Sequence, residues 1–337
     1  MTAFLALDAG NSKTVAVVTD AAGTVLGRAR GGRGDIYNAP TPDAAADEVL
    51  GAANRALSQA GVKASALAAA AFRMAGVDWP EDAGWWREQI TARLGVIDHL
   101  GIANDGFASL RLGALDGVGV GVTVGTGPAI AARNREGAEA CSGWWVFDNL
   151  GGWGLAEGGI AAVCRAWMGL GEPTALTEPM LDLFDVPDPW ELRHSLTRRF
   201  RTRPADEELA ATRLVLRIAE TGDPVALGLV RHQASAFAGY TGWVAGQVAS
   251  RPGPDFPIVV NGSVATSQHG VFRDHLLAAL AESFPSAAVR VSSAAPLAGC
   301  VLDALALGGV ELTEGLRDQV IATEHPAEFL DTSRVSS

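Results

Sequence analysis

Two short glycine-containing segments, Asp8-Ala9-Gly10-Asn11-Ser12-Lys13-Thr14 and Gly125-Thr126-Gly127, carry residue types that hold phosphate groups. Glycine lets backbone approach an anion closely, and successive N–H groups in such a turn bind it without a basic surface. In the first segment Asn11, Ser12, Lys13 and Thr14 add donors. Asp8 could hold a hydrated Mg2+, a hard ion that prefers oxygen ligands and keeps several waters. Asp105 closes the run Ile102-Ala103-Asn104-Asp105, where a carboxylate can accept a proton from a substrate hydroxyl. Plainer readings stand beside these: each turn also reads as an ordinary hairpin, and Asp is a preferred helix N-cap, although Asn104 caps equally well. No GxxxxGK[ST] loop occurs, nor a GxGxxG that opens a helix, so a nucleotide would be held by another fold.

The elements that must position these residues alternate between strand and helix. Residues 3–9 form an apolar run ending at a glycine turn, residues 14–20 are β-rich and alternating, and a turn at 21–23 leads to a third strand over 24–30. A helix over 41–60 opens with Thr-Pro-Asp and ends at Gly61, followed by a strand near 68–74 and a helix to Leu94. The strand HLGIAND then leads into a helix, FASLRLGAL, ending near Leu115. Residues 117–137 repeat the opening pattern of strand, glycine turn, strand and polar turn, so two copies of one unit are expected, starting near residues 3 and 118. Helices near 156–169, 206–221 and 224–250 follow, then the strand FPIVVNG, a helix over 269–283, a strand at AAVRVSS, and helices at 297–308 and 313–323. The closing DTSRVSS reads as a mobile tail. This is α/β order, and 337 residues suit two domains around a cleft better than one core.

The net charge of −12, without a lysine- or arginine-rich block, argues against nucleic acid or an anionic membrane as partner. The only lysines are Lys13 and Lys63, which makes a lysine inside a glycine turn stand out. No basic region followed by an apolar stretch opens the chain, and no run reaches the ~18 apolar residues of a membrane span, so a cytoplasmic location is expected. Cys141, Cys164 and Cys300 are widely spaced without a CxxC pair, and the six histidines show no metal spacing.

LALDAGNSKTVAVVTD with GTVLGRARGG, then AGVDWPED, IANDGFASLRLGAL, VTVGTGPAIAARNREG, CSGWW, and NGSVATS followed by PLAGCVLDAL span most of the chain. In this order they resemble the N-acetylglucosamine kinase-like branch of the sugar kinase, actin and heat-shock-protein superfamily. That branch also includes activator ATPases of benzoyl-CoA reductase and 2-hydroxyacyl-CoA dehydratase. The resemblance implies an α/β, two-lobed actin-like ATPase (ribonuclease H-like) fold with duplicated sheet and helix units and a central cleft. Residues 1–114, completed by the helix near 313–323, would form the first lobe, and residues 115–310 the second.

It further implies ATP as co-substrate, with residues 8–14 and 125–127 as the two phosphate loops. Gly262, Ser263 and Val264 would form the adenosine motif, with residues 296–299 beside the adenine. Asp105 would be the catalytic base, with Asp8 and Asp105 at the Mg2+. Asn38 would bind sugar hydroxyls, joined by Thr126 and Gly127, with Trp144 or Trp145 as an aromatic wall. Relatives commonly read GGWG followed by a GDEGS-like segment, whereas residues 142–154 here are SGWWVFDNLGGWG, and the acidic pair is missing in place. A free 2-amino group is cationic and calls for a carboxylate, which Asp148, with Glu157 in reserve, would supply. The FDNxGGW pattern resembles actinobacterial glucosamine kinases of this branch, and an Ala- and Arg-rich, lysine-poor composition suits such a source. Glucosamine, phosphorylated at its 6-hydroxyl, therefore ranks ahead of N-acetylglucosamine. An activator-type ATPase is an alternative that requires suitably placed cysteines, and a sugar-responsive regulator is another; a homodimer is left open.

Overall fold

The computed structural model describes residues 2–200 and 203–330, so the DTSRVSS segment lies outside the described residues. Ten strands make two five-stranded sheets. The first comprises β1 (Ala3–Ala9), β2 (Thr14–Thr19), β3 (Val25–Gly31), β4 (Leu67–Met74) and β5 (Leu100–Asn104). The second comprises β6 (Gly119–Val124), β7 (Pro128–Arg133), β8 (Glu139–Cys141), β9 (Ile258–Asn261) and β10 (Val289–Val291). Their orders, β3-β2-β1-β4-β5 and β10-β9-β6-β7-β8, are one topology read from opposite ends. Each has an antiparallel meander of three strands extended by two parallel ones. The duplication read from the two glycine turns is thus a duplication of whole sheets.

The helices are α1 (Pro42–Ala60), α2 (Pro80–Leu94), the short α3 (Leu110–Gly113), α4 (Gly151–Trp167), α5 (Thr177–Phe184), α6 (Pro189–Thr197), α7 (Ala205–Leu209), α8 (Ala211–Glu220), α9 (Pro224–Gln247), α10 (Val271–Ser283), α11 (Pro296–Leu307), α12 (Glu314–Ile321) and α13 (Ala327–Leu330). In α1 the Thr41 side chain accepts from the Ala44 N–H, Pro42 starts the first turn, and Gly61 ends the helix in the left-handed region. Its buried stripe, which includes Val49, Leu50, Ala53 and Leu57, covers one face of the first sheet. The other face is covered by α11 through Leu297, Val301, Ala304 and Leu305. Sequence order had placed α11 with the second unit, yet it packs on β1 and β4, because its apolar surface fits between that sheet and residues 105–113. Gln319 of α12 donates from Nε2 to Ala22 O at 2.9 Å, in the β2–β3 turn. The second sheet packs against α9, with α4, α8 and α10 beyond.

Residues 105–109 are a 3-10 turn, and the α-helix after it ends at Gly113, shorter than the helix expected to Leu115. The segment leaves the first sheet and lies across β6 and β7, burying Phe107 and Leu110 against Ala131 and Val259. Among the described residues no helix is long and apolar enough to cross a membrane.

Candidate active site

A cleft of about 720 Å³ lies between the lobes. The first lobe contributes Asp8, the turn 10–13, Arg33, Asp35, Tyr37, Asn38, Asp78, Asn104 and Asp105. The second contributes Thr123, the turn 125–127, residues 142–144, Trp153, Gly262 and Ser263, and α11 adds Pro296.

The first turn follows from strand register. Ala9 pairs with Thr14, leaving residues 10–13 to reverse the chain, and the Gly10 N–H donates to Lys13 O at 2.8 Å. Arg33 ties this turn to the neighbouring loop: its Nε donates to Asn11 O (2.9 Å) and its Nη1 to Asn38 O (2.6 Å). Asn38 in turn donates from Nδ2 to Asp35 Oδ2 at 2.8 Å, which fixes its amide. Thr14 departs from its expected role. It is the first residue of β2 and fully buried, and its hydroxyl lies where a side chain on Gly34 would be, so it does not line the cleft.

The second turn is seated on a helix. The N–H groups of Gly152 and Trp153, at the start of α4, donate to Gly125 O (2.9 Å) and Thr126 O (3.0 Å). Gly151 has φ +77°, and a Cβ there would stand 2.9–3.0 Å from turn backbone. With the Gly125 and Thr126 carbonyls held by α4 and the Gly125 N–H donating to Gly127 O at 3.1 Å, the turn has the N–H groups of Thr126 and Gly127 to offer an anion.

Gly262 follows β9 with φ +102°, and a Cβ there would come within 2.5 Å of Val124 backbone, so only glycine brings this segment down onto β6. Ser263 is exposed in the cleft. Val264 is buried beneath, its N–H donating to Val124 O at 2.9 Å, so it supports the segment without facing the cleft. Asn261 donates from Nδ2 to Ser292 O (2.7 Å) and Ala294 O (2.9 Å), anchoring the turn that leads to Pro296.

Asp105 follows β5, and Asn104, not Asp105, caps the turn: its Oδ1 accepts from the Gly106 N–H at 2.9 Å. The Asp105 carboxylate is thereby left for other work. Burial, followed by the charges of Asp8, Asp78 and Asp35, pushes its pKa up to about 8. Burial also raises the Asp8 carboxyl, with Lys13 acting in the opposite direction. Among the described residues no group of three or more His, Cys, Asp or Glu is arranged to hold a metal. Two carboxylates in an open cleft fit Mg2+, which usually takes one or two carboxylates, phosphate oxygens and water.

Asp78 was not singled out from the sequence. It lies in the β4–α2 connection, and its Oδ1 accepts from Asn104 Nδ2 at 2.8 Å. Burial, then the charges of Asp35 and Asp82, raise its pKa to about 6. A signal was present: Pro80 and Asp82 mark a helix start, which puts Asp78 beyond the carboxyl end of a parallel strand, where α/β sheets bind ligands.

Trp144 lines the cleft and meets Tyr37 of the other lobe edge to face, ring centroids 5.2 Å apart. Asp148 and Glu157 do not line it. Asp148 is exposed and accepts from the Tyr240 hydroxyl (2.7 Å), which holds it on the α9 side of its loop. Glu157 sits in the second turn of α4, accepts from Asn149 Nδ2 (2.6 Å), and faces a separate cavity with Cys164 and Arg193.

No family model and no curated protein matches the sequence. Among solved structures, the chain is similar to a candidate N-acetylglucosamine kinase from Chromobacterium violaceum, with TM-score 0.66 and 22% identity, covering 90% of this chain and 98% of that one. A candidate N-acetylglucosamine kinase from Porphyromonas gingivalis gives TM-score 0.64 and 20% identity, covering 91% and 99%. A ROK family glucokinase from Streptomyces griseus, solved with glucose and AMPPNP, gives TM-score 0.51 and 18% identity, covering 90% and 98%. The chain has the two-lobed actin-like fold of these proteins.

Proposed function

We propose that this chain is an ATP-dependent sugar kinase that phosphorylates the 6-hydroxyl of an aminosugar, D-glucosamine ahead of N-acetylglucosamine. The observation that carries it is one carboxylate, Asp105, released from capping by Asn104 and set in a cleft between two glycine turns. Asp105 accepts the proton of the 6-hydroxyl as that oxygen bonds to the γ-phosphorus, and the bond from phosphorus to the β–γ bridging oxygen breaks to release ADP. The turns 10–13 and 125–127 hold the phosphates, and Gly262, Ser263 and Pro296 flank the nucleoside. Mg2+ bound at Asp8 and Asp105 would neutralise phosphate charge. Asn38, its amide fixed by Asp35, orients sugar hydroxyls, and Trp144 covers a ring face.

Glucosamine is favoured by the charge of the cleft. Its lining has four acidic side chains, Asp8, Asp35, Asp78 and Asp105, against two cations, Lys13 in the first turn and Arg33 held between Asn11 O and Asn38 O. N-acetylglucosamine is the second reading, favoured by the description of two fold neighbours as candidate kinases for that sugar.

Release of ADP measured with glucosamine, N-acetylglucosamine, glucose and water tests the assignment. Release that depends on sugar is expected. Equal release with sugars and with water alone would point to an activator-type ATPase instead.

A further inference from the structure

The two carboxylates that the sequence offered to a substrate amine, Asp148 and Glu157, lie outside the cleft, and this leaves open which group meets it. The remaining carboxylates differ in what already occupies their oxygens. Asp35, 4% exposed, accepts from the Tyr37 N–H (2.9 Å) on Oδ1 and from Asn38 Nδ2 (2.8 Å) on Oδ2. Asp82 accepts from the Tyr37 hydroxyl (2.8 Å) on one oxygen and from the N–H groups of Asp78 and Trp79 (3.0 and 2.8 Å) on the other. Each thus has both oxygens engaged by donors of the surrounding fold, whereas Asp78 has one. Asp105 is committed to the hydroxyl proton, and Asp8 lies at the first phosphate turn. Asp78 lines the cleft, has one oxygen engaged by Asn104, and forms no ion pair with an arginine among the described residues.

Asn104 is itself oriented. Because its Oδ1 is held by the Gly106 N–H, its Nδ2 is the end that meets Asp78, so one amide links the base-bearing turn to this second carboxylate. Asp78 also lies at the seam between the lobes: a Cβ on Gly143 would stand 3.0 Å from its Oδ1, and the next residue is Trp144. A group bound there is partly withdrawn from water, where an ion pair is stronger than in bulk solvent.

We propose that Asp78, oriented by Asn104 at the lobe seam, is the specificity-determining residue that receives the ammonium group of an aminosugar. The inference rests on the sugar kinase reading. A neutral hydroxyl or acetamido group at the same place gains no ionic contact and leaves the carboxylate uncompensated.

The test is kcat/KM of the intact protein and of Asp78→Asn for glucosamine and glucose. The asparagine retains an oxygen for Asn104 Nδ2 and removes only the charge. Asp78→Asn is expected to lower the glucosamine-to-glucose ratio about 10- to 100-fold, chiefly through the KM for glucosamine. Equilibrium binding of both sugars, read by tryptophan fluorescence without nucleotide, should show the same fall in ratio and does not depend on turnover. A wild-type preference for glucosamine that survives unchanged in the variant overturns the role of Asp78 and leaves the kinase standing. Phosphorylation of sugars without preference for glucosamine overturns the inference as well. Absence of phosphorylation of any sugar overturns the kinase reading, and this inference with it.

Discussion

Asp105 is distinguished from Asp35 and Asp82 by what its oxygens are left to do. Those two carboxylates are consumed by backbone and side-chain donors, whereas the capping task beside Asp105 is taken by Asn104. Replacing Asp105 by Asn should leave the cap and the fold intact and lower kcat by about 10²- to 10⁴-fold, the range general-base catalysis supplies, with a smaller change in sugar KM. Steady-state kinetics on the purified variant check this, and a kcat within a few-fold of wild type would remove the base assignment. Asp105 and the two glycine turns could be picked out from short local patterns and Asn38 through the family resemblance, and all of them line the cleft. Asp78 was not picked out, because its place is set by an amide 26 residues away and by Gly143 of the other lobe. Asp148 misled for the same reason: its neighbours in sequence are cleft residues, but its partner is Tyr240 on α9.

At the scale of elements, the second phosphate turn depends on how α4 begins. Two N–H groups of its first turn are spent on the carbonyls of Gly125 and Thr126, and Gly151 makes that approach possible with a positive φ. Gly151→Ala should therefore strain the backbone and push α4 from the turn. A loss of about 1–3 kcal/mol in stability is expected, read as a lower Tm, together with a rise in KM for ATP larger than that for sugar. Equal effects on the two KM values would show that the helix start does not position the phosphate turn. The strands and long helices were readable from apolar runs, alternation and caps. The three-residue β8 is too short to carry a periodicity, and α5 and α6 are brief helices whose register is set by packing with α4 and α8. The 3-10 turn at 105–109 arises because the chain must cross from one sheet to the other within a few residues, which no local pattern announces.

The whole molecule is joined behind the cleft by one buried carboxylate. Asp303 of α11, 2% exposed, pairs with Arg73 Nε of β4 at 2.7 Å, with Arg111 Nε of α3, and at 3.8 Å with Arg133 Nη1 of β7, so residues of both sheets and of the crossing segment share it. Burial alone would raise its pKa, but the charges of Arg73, Arg133 and Arg111 outweigh that and hold the carboxyl below its ordinary value. A depressed folded pKa stabilises the protein above the unfolded value of 3.8, and that stability is lost as pH falls below it. The cleft acids act in the opposite sense. With pKa values raised to about 6 and about 8, Asp78 and Asp105 make the ligand-free protein bind protons more readily when folded, so stability is gained as pH falls through those values. Their sum predicts a Tm that rises from pH 9 toward pH 5 and drops below pH 4, measurable by circular dichroism across that range. Asp303→Asn, which leaves three arginines around a neutral amide, should cost about 3–5 kcal/mol and flatten the acid limb while leaving the rise above pH 5 in place. An acid limb as steep in the variant as in the wild type would show that the acid sensitivity arises elsewhere than at the joint between the lobes.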